Sequence, residues 1–170
     1  FDAQLMISVS NLGMFLLYLV YTAIFMFTFF YDLHYMQVAD HVLIPGILIG
    51  LIATIATPLT PSLIDALIGG AIPVAFFGLQ MLISKGRWIG EGDLRVAAFM
   101  GIILGWKLFI VALVGSYLIG SVVGIIIGVQ QGHIRGIKIP FGPFLVTATF
   151  LTIFYGQEIM QWYLGRLGIL

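Results

Sequence analysis

The sequence contains no cysteine, so no disulfide, thiolate zinc site or cysteine nucleophile can form within it. Charge is almost as scarce. Seven basic and seven acidic side chains make up 8% of the 170 residues, where a soluble domain carries roughly a quarter. The formal net charge is zero, with no clustered basic face of the kind nucleic acid requires, so no nucleic-acid partner is expected. Residues 1–31 lack a basic n-region and a small-residue cleavage site, which argues against a secretory signal. Phe1 stands where an initiating Met would be, and the chain is expected to be a fragment or a processed product. What is plentiful is apolar surface: 61% of the residues are hydrophobic and the mean hydropathy is +1.15. So few polar groups cannot clothe a body of 18.7 kDa in water. The solvent for most of this chain is the lipid bilayer.

In hydrocarbon only a helix or a closed barrel satisfies its own backbone, and about 20 apolar residues are needed for a helix to cross. The pattern predicts six such segments, at residues 9–31, 41–57, 62–84, 94–105, 108–130 and 141–164. The fourth is short: about 12 residues rise only about 18 Å, so it is a partial span or starts inside the membrane with Asp93 at its mouth. With six crossings, Lys85, Arg87, Arg95, Arg135 and Lys138 collect on one side, against Lys107 and Arg166 on the other. The richer side is predicted to be cytoplasmic, with both chain ends outside. Fusing the fourth and fifth segments would put Arg135 and Lys138 outside. The expected fold is therefore an all-α membrane protein, a six-transmembrane-helix bundle formed by residues 1–170 as one domain.

Seven acids must be reconciled with this solvent, since a carboxylate deep in a membrane costs about 2.5 to 3.5 kcal/mol on insertion scales. Asp2 lies at the chain start and Glu158 near an interface, where water can reach both. Asp65 follows Ser62 at capping-box spacing and is expected to cap a helix. Glu91, between Gly90 and Gly92, is expected to face water without a role. Asp32 and Asp93 stand apart: one closes the first span, the other opens the fourth, and the topology brings both to the cytoplasmic boundary. Each could simply mark a helix end. Held together, though, two carboxylates cannot both ionise readily, so one can deprotonate water while the other, protonated, polarises a scissile carbonyl. Such chemistry needs no metal, thiol, histidine or cofactor, and its titration would belong to the pair. Gly90 and Gly92 would let the backbone turn and a substrate strand approach. A transporter or channel using the acids as proton or cation sites is the rival class; midplane sites and inverted repeats would mark it, and neither is evident.

The run Gly90-Glu91-Gly92-Asp93-Leu94-Arg95, continued by Ala97, Ala98, Gly101, Leu104, Gly105 and Trp106, resembles the GxGD region of the prepilin peptidases, the type IV leader peptidases. Two more segments match in the same order: Tyr31-Asp32 with Asp40 and Ile44-Pro45 behind it, and Lys138-Ile139-Pro140-Phe141-Gly142-Pro143-Phe144-Leu145. The Tyr-Asp and GxGD pair is also similar to presenilin-type proteases, but the Pro-Ala-Leu motif of that branch is missing.

The resemblance implies that Asp32 and Asp93 are catalytic aspartates, with Gly90, Gly92, Arg95 and Asp40 as supporting residues and Pro140, Phe141, Gly142 and Pro143 close to substrate. Asp40 departs from the family pattern in following Ala39 rather than Pro, and Arg95 in standing where Lys is common. Implied substrates are type IV prepilins or pseudopilins, whose basic leader is cut at the cytoplasmic membrane face. Many bacterial members also carry an upstream cysteine-bearing segment and methylate the product; this chain contains no such segment, and methylation is not expected of it. His34, His41 and His133 are expected to be interfacial, Trp88, Trp106 and Trp162 to sit at headgroup depth, and Gly115, Gly120, Gly124 and Gly128 to permit close helix packing.

Overall fold

The computed structural model describes residues 3–57, 60–87, 89–132 and 139–166, with side chains from Asn11 onward. Asp2, Pro58, Trp88, His133, Arg135 and Lys138 lie outside the described residues. The architecture is all-helical: α1 (Ala3–Tyr35), α2 (Asp40–Ala56), α3 (Leu63–Ser84), α4 (Glu91–Gln131) and α5 (Gly142–Arg166). No strand occurs among the described residues.

Among the described residues three stretches are long and apolar enough to cross a membrane, Asn11–Tyr35, Leu63–Ser84 and Glu91–Gln131, and Asp40–Ala56 is a shorter apolar helix. The expectation of six spans is not met in this form. α2 has only 17 residues. α5 is long enough but too polar, carrying Gln157, Glu158 and Gln161 in its second half. The fourth and fifth expected segments run together as the 41-residue α4.

That long helix is not straight. Gly105 takes φ 72° and ψ 164°, a left-handed combination that glycine adopts at little cost. The partners on either side of it show a reversal. Leu94 and Tyr117 would lie roughly 35 Å apart on a straight helix rising about 1.5 Å per residue. Yet Leu94 lies against Gly78, while the Tyr117 hydroxyl meets the amide of Gln80, two residues further along α3, at 3.4 Å. The chain therefore doubles back at Gly105, so that α3 packs on both arms, 91–104 and 106–131.

The first arm is the core of the molecule. Val96 through Gly105 are all buried, enclosed by Tyr21 and Phe25 of α1, Leu43 of α2 and Phe77 of α3. Its Gly101 crosses Gly69 of α3 backbone to backbone; a Cβ on either would overlap the other's carbonyl oxygen. This is the small-residue contact that lipid-embedded helices use to approach closely. The second arm runs antiparallel to α5, with Gly115 against Ala148 and Gly120 against Phe144, as expected for those glycines. Asp65 accepts a hydrogen bond from Ser62 Oγ at 2.7 Å, and its own N–H donates to that hydroxyl at 3.1 Å, the predicted cap.

Candidate active site

Asp32 sits in the last turn of α1. That is a poor place for a carboxylate, because the C-terminal end of a helix carries the negative pole of its dipole. The side chain is nonetheless turned inward, with 5% of the residue exposed. Its Oδ2 is enclosed and accepts no formed hydrogen bond. Met36, whose N–H closes the helix on the Asp32 carbonyl at 2.8 Å, takes φ 50° and turns the chain into the α1–α2 link.

Asp93 is placed by opposite means. It is the third residue of α4, where the dipole favours negative charge, and its Oδ2 accepts the Gly90 N–H at 3.4 Å. This is half of a capping box; glycine has no side chain to return the bond. The helix-cap reading of Asp93 is thus realised, and that of Asp32 is not. Both acids line one hollow of about 290 Å³, together with Met36, Gln37, Val38, Gly90, Glu91, Gly92 and Arg95.

The motif glycines differ from expectation. Gly90 has an ordinary extended backbone, φ −79°, and Gly92 is not left-handed either. Gly92 is required for packing: a Cβ there would lie 2.5 Å from Val38 Cγ2 and 2.8 Å from its Cβ. The small residue lets the α1–α2 link lie on the mouth of α4. Glu91, expected to face water without a role, is exposed and pairs with Arg95 at 3.4 Å. Arg95 Nη1 also donates to both oxygens of Asp40 at 2.9 Å, tying the start of α2 to α4.

None of Pro140, Phe141, Gly142 and Pro143 lines the hollow. Phe141 faces the bundle instead, 5.0 Å from the Tyr117 ring and 6.3 Å from Phe77, centroid to centroid. Gly142 and Pro143 are buried, and Gly142 lies directly against Asp32. The sequence reading missed Met36, Gln37 and Val38. Their only signal was position, immediately after an acid at the end of a span. His34 and His41 are exposed, as expected. Among the described residues no three His, Asp or Glu side chains gather as a metal ion would require.

A family model, described as the type IV leader peptidase family, matches residues 17–125, a stretch that contains both aspartates and the whole first arm of α4. The chain belongs to the type IV leader peptidase family. Among its curated relatives, a prepilin leader peptidase/N-methyltransferase of Pseudomonas aeruginosa is 32% identical over 140 residues, 76% of this chain and 48% of the relative. Proteins of the same name are 29% identical over 81% of this chain and 48% of the relative in Aeromonas salmonicida. The Legionella pneumophila protein is 34% identical over 53% of this chain and 31% of the relative. The chain spans about half the length of the curated relatives it matches. No solved structure matches it.

Proposed function

We propose that this chain is the peptidase unit of a prepilin leader peptidase, an aspartic endopeptidase that removes the basic leader from type IV prepilins or pseudopilins. The observation that carries this reading is Asp32: a buried acid at the wrong end of a helix, without a hydrogen bond at Oδ2, facing the same hollow as a second acid from α4. Burying a polar atom without a partner costs free energy, and packing gives no return for it here. A group so placed is held for chemistry.

The reaction follows from the pair. One ionised carboxylate takes a proton from water as its oxygen attacks the scissile carbonyl, and the protonated partner donates to the carbonyl oxygen. The tetrahedral gem-diol collapses when the nitrogen of the leaving amine accepts a proton from the dyad and the C–N bond breaks, while one diol hydroxyl returns its proton to the dyad as the carboxylic acid product forms. Water is consumed and the two carboxyls end as they began, with one proton between them.

Membrane placement supports the same substrate. The reversal at Gly105 puts the head of α4 and the start of α5 at one end of the bundle and Gly105 at the other. Lys85, Arg87 and Arg95 then fall at the aspartate end, and Lys107 and Arg166 at the other, so the dyad faces the cytoplasm by the positive-inside rule. A prepilin with a cytosolic leader and a stem in lipid presents its scissile bond at that depth. The stem docks laterally and unwinds locally, because a helical peptide bond is poorly accessible to water.

The test is cleavage of a prepilin in proteoliposomes. Asp32→Asn and Asp93→Asn should each lower the rate by about a hundredfold to ten-thousandfold. Wild-type cleavage by either variant would remove the mechanism.

A further inference from the structure

The segment resembling the family's last-helix motif, expected to lie near substrate, packs against Asp32 through Gly142. A Cβ on Gly142 would overlap Asp32 Oδ2 and lie 3.1 Å from its Cγ. Any side chain at 142 therefore displaces the carboxyl group, which is walled in and has little room to yield.

The backbone N–H of the same residue is also singled out. The first four N–H groups of an α-helix have no partner within the helix. At the start of α5, the Phe144 and Leu145 N–H groups both bond to the Phe141 carbonyl, at 3.0 and 3.2 Å. Pro143 has none to give. The Gly142 N–H has no partner within the helix and lies beside the buried Asp32 carboxyl group, although it does not complete a hydrogen bond to Asp32 Oδ2. The positive pole of α5 thereby meets the buried acid at the negative end of α1. Phe141, wedged against Phe77, Tyr117 and Phe144, holds this terminus in place.

We infer that Gly142 is a positioning residue of the dyad: its missing side chain makes room for the Asp32 carboxyl, and its N–H, at the positive pole of α5, is the donor that this unpartnered carboxyl can engage. This rests on the peptidase reading above. It assigns a role to a part of the chain far from either aspartate in sequence, and makes the docking of α5 a condition of the dyad's protonation.

Two changes to the full chain in proteoliposomes separate space from charge, assayed with a prepilin-derived peptide carrying leader and stem. Gly142→Ala adds the overlapping methyl group. Replacing Gly142 by glycolate, through nonsense suppression with the hydroxy acid, turns the amide into an ester and removes only the N–H. Gly115→Ala, where a Cβ would meet Ala148 at an ordinary 3.6 Å, serves as control. The ester should lower kcat by about tenfold to a hundredfold with KM unchanged, and should displace the pH profile of cleavage. Gly142→Ala should lose more, and Gly115→Ala should match wild type in rate and profile. Should Gly142→Ala fail to fold, the ester, which adds no volume, still decides. An ester with wild-type kcat and pH profile overturns the inference. If Asp32→Asn or Asp93→Asn cleaves normally, the peptidase reading itself has failed; if both are inactive while the ester is normal, only the role of Gly142 has.

Discussion

The tail of α1 and the head of α4 each deliver one carboxyl group to the same hollow, and the fold treats them in opposite ways. Asp93 would be at home in any helix: it sits in the first turn, in the favourable field of the dipole, with the Gly90 N–H on its Oδ2. Asp32 lies in the last turn of its helix, is buried, and has an oxygen without a hydrogen bond. One acid contributes to the stability of its helix while the other is carried at a cost. Chemistry that needs two unlike carboxylates is served by such an asymmetry, because the environments separate them before substrate arrives.

The sharpest way to break this comparison is to neutralise each acid in turn and measure cleavage and stability together. Cleavage should fall in both variants, as stated above. Stability should split: Asp93→Asn loses the charge–dipole term, about 0.3–1 kcal/mol, whereas Asp32→Asn should leave the thermal midpoint in detergent unchanged or raise it. A lowered midpoint for Asp32→Asn would mean that this acid is structural after all.

Next in size is the contact that seats the α1–α2 link on the head of α4. Gly92→Ala drives a methyl group into Val38, and overpacking of this kind costs about 1–3 kcal/mol. The damage should include activity, because Val38 and both aspartates share one hollow. Val38→Ala in the same chain should restore much of both, as a clash between two named groups is relieved by shrinking either. If the double variant is no better than Gly92→Ala, the glycine serves something other than this contact.

The two acids were legible in the sequence because charge is rare in this solvent, and their chain positions gave a common depth. The two arms of α4 show where such reading stops. Val96–Gly105 and the stretch bearing Val114, Leu118, Val122 and Ile125 are similarly apolar, yet the first is buried and the second exposes those four side chains. Hydropathy cannot separate an interior from a lipid face when both are oil. Small residues at 97, 98 and 101 were a hint of close packing, and Gly105 Trp106 Lys107 marked a break in the apolar run. That the break is a reversal within one long element, with Gly105 left-handed, required coordinates. Gly142 was singled out with its motif as close to substrate, but its place against Asp32 was not legible. Its importance lies in an atom it lacks, opposite a residue 110 positions away, and no local pattern encodes that.

The smallest expected effect concerns the outer support of the comparison, the link from Asp40 through Arg95 to Glu91. Arg95 holds Asp40 at 2.9 Å, but the side chains are 37% and 44% exposed, so water and salt screen the pair. A double-mutant cycle of Asp40→Asn and Arg95→Gln should return a coupling of about 0.2–1 kcal/mol, shrinking as ionic strength rises. Arg95 is two residues from Asp93 on the same turn of α4, so the pair holds the head of that helix against α2 more than it tunes the acid. Both single variants should therefore lower stability slightly and leave the pH profile of cleavage where it was. A shifted profile with unchanged stability would place Arg95 inside the electrostatics of the dyad, and the head of α4 would then be less self-sufficient than its cap suggests.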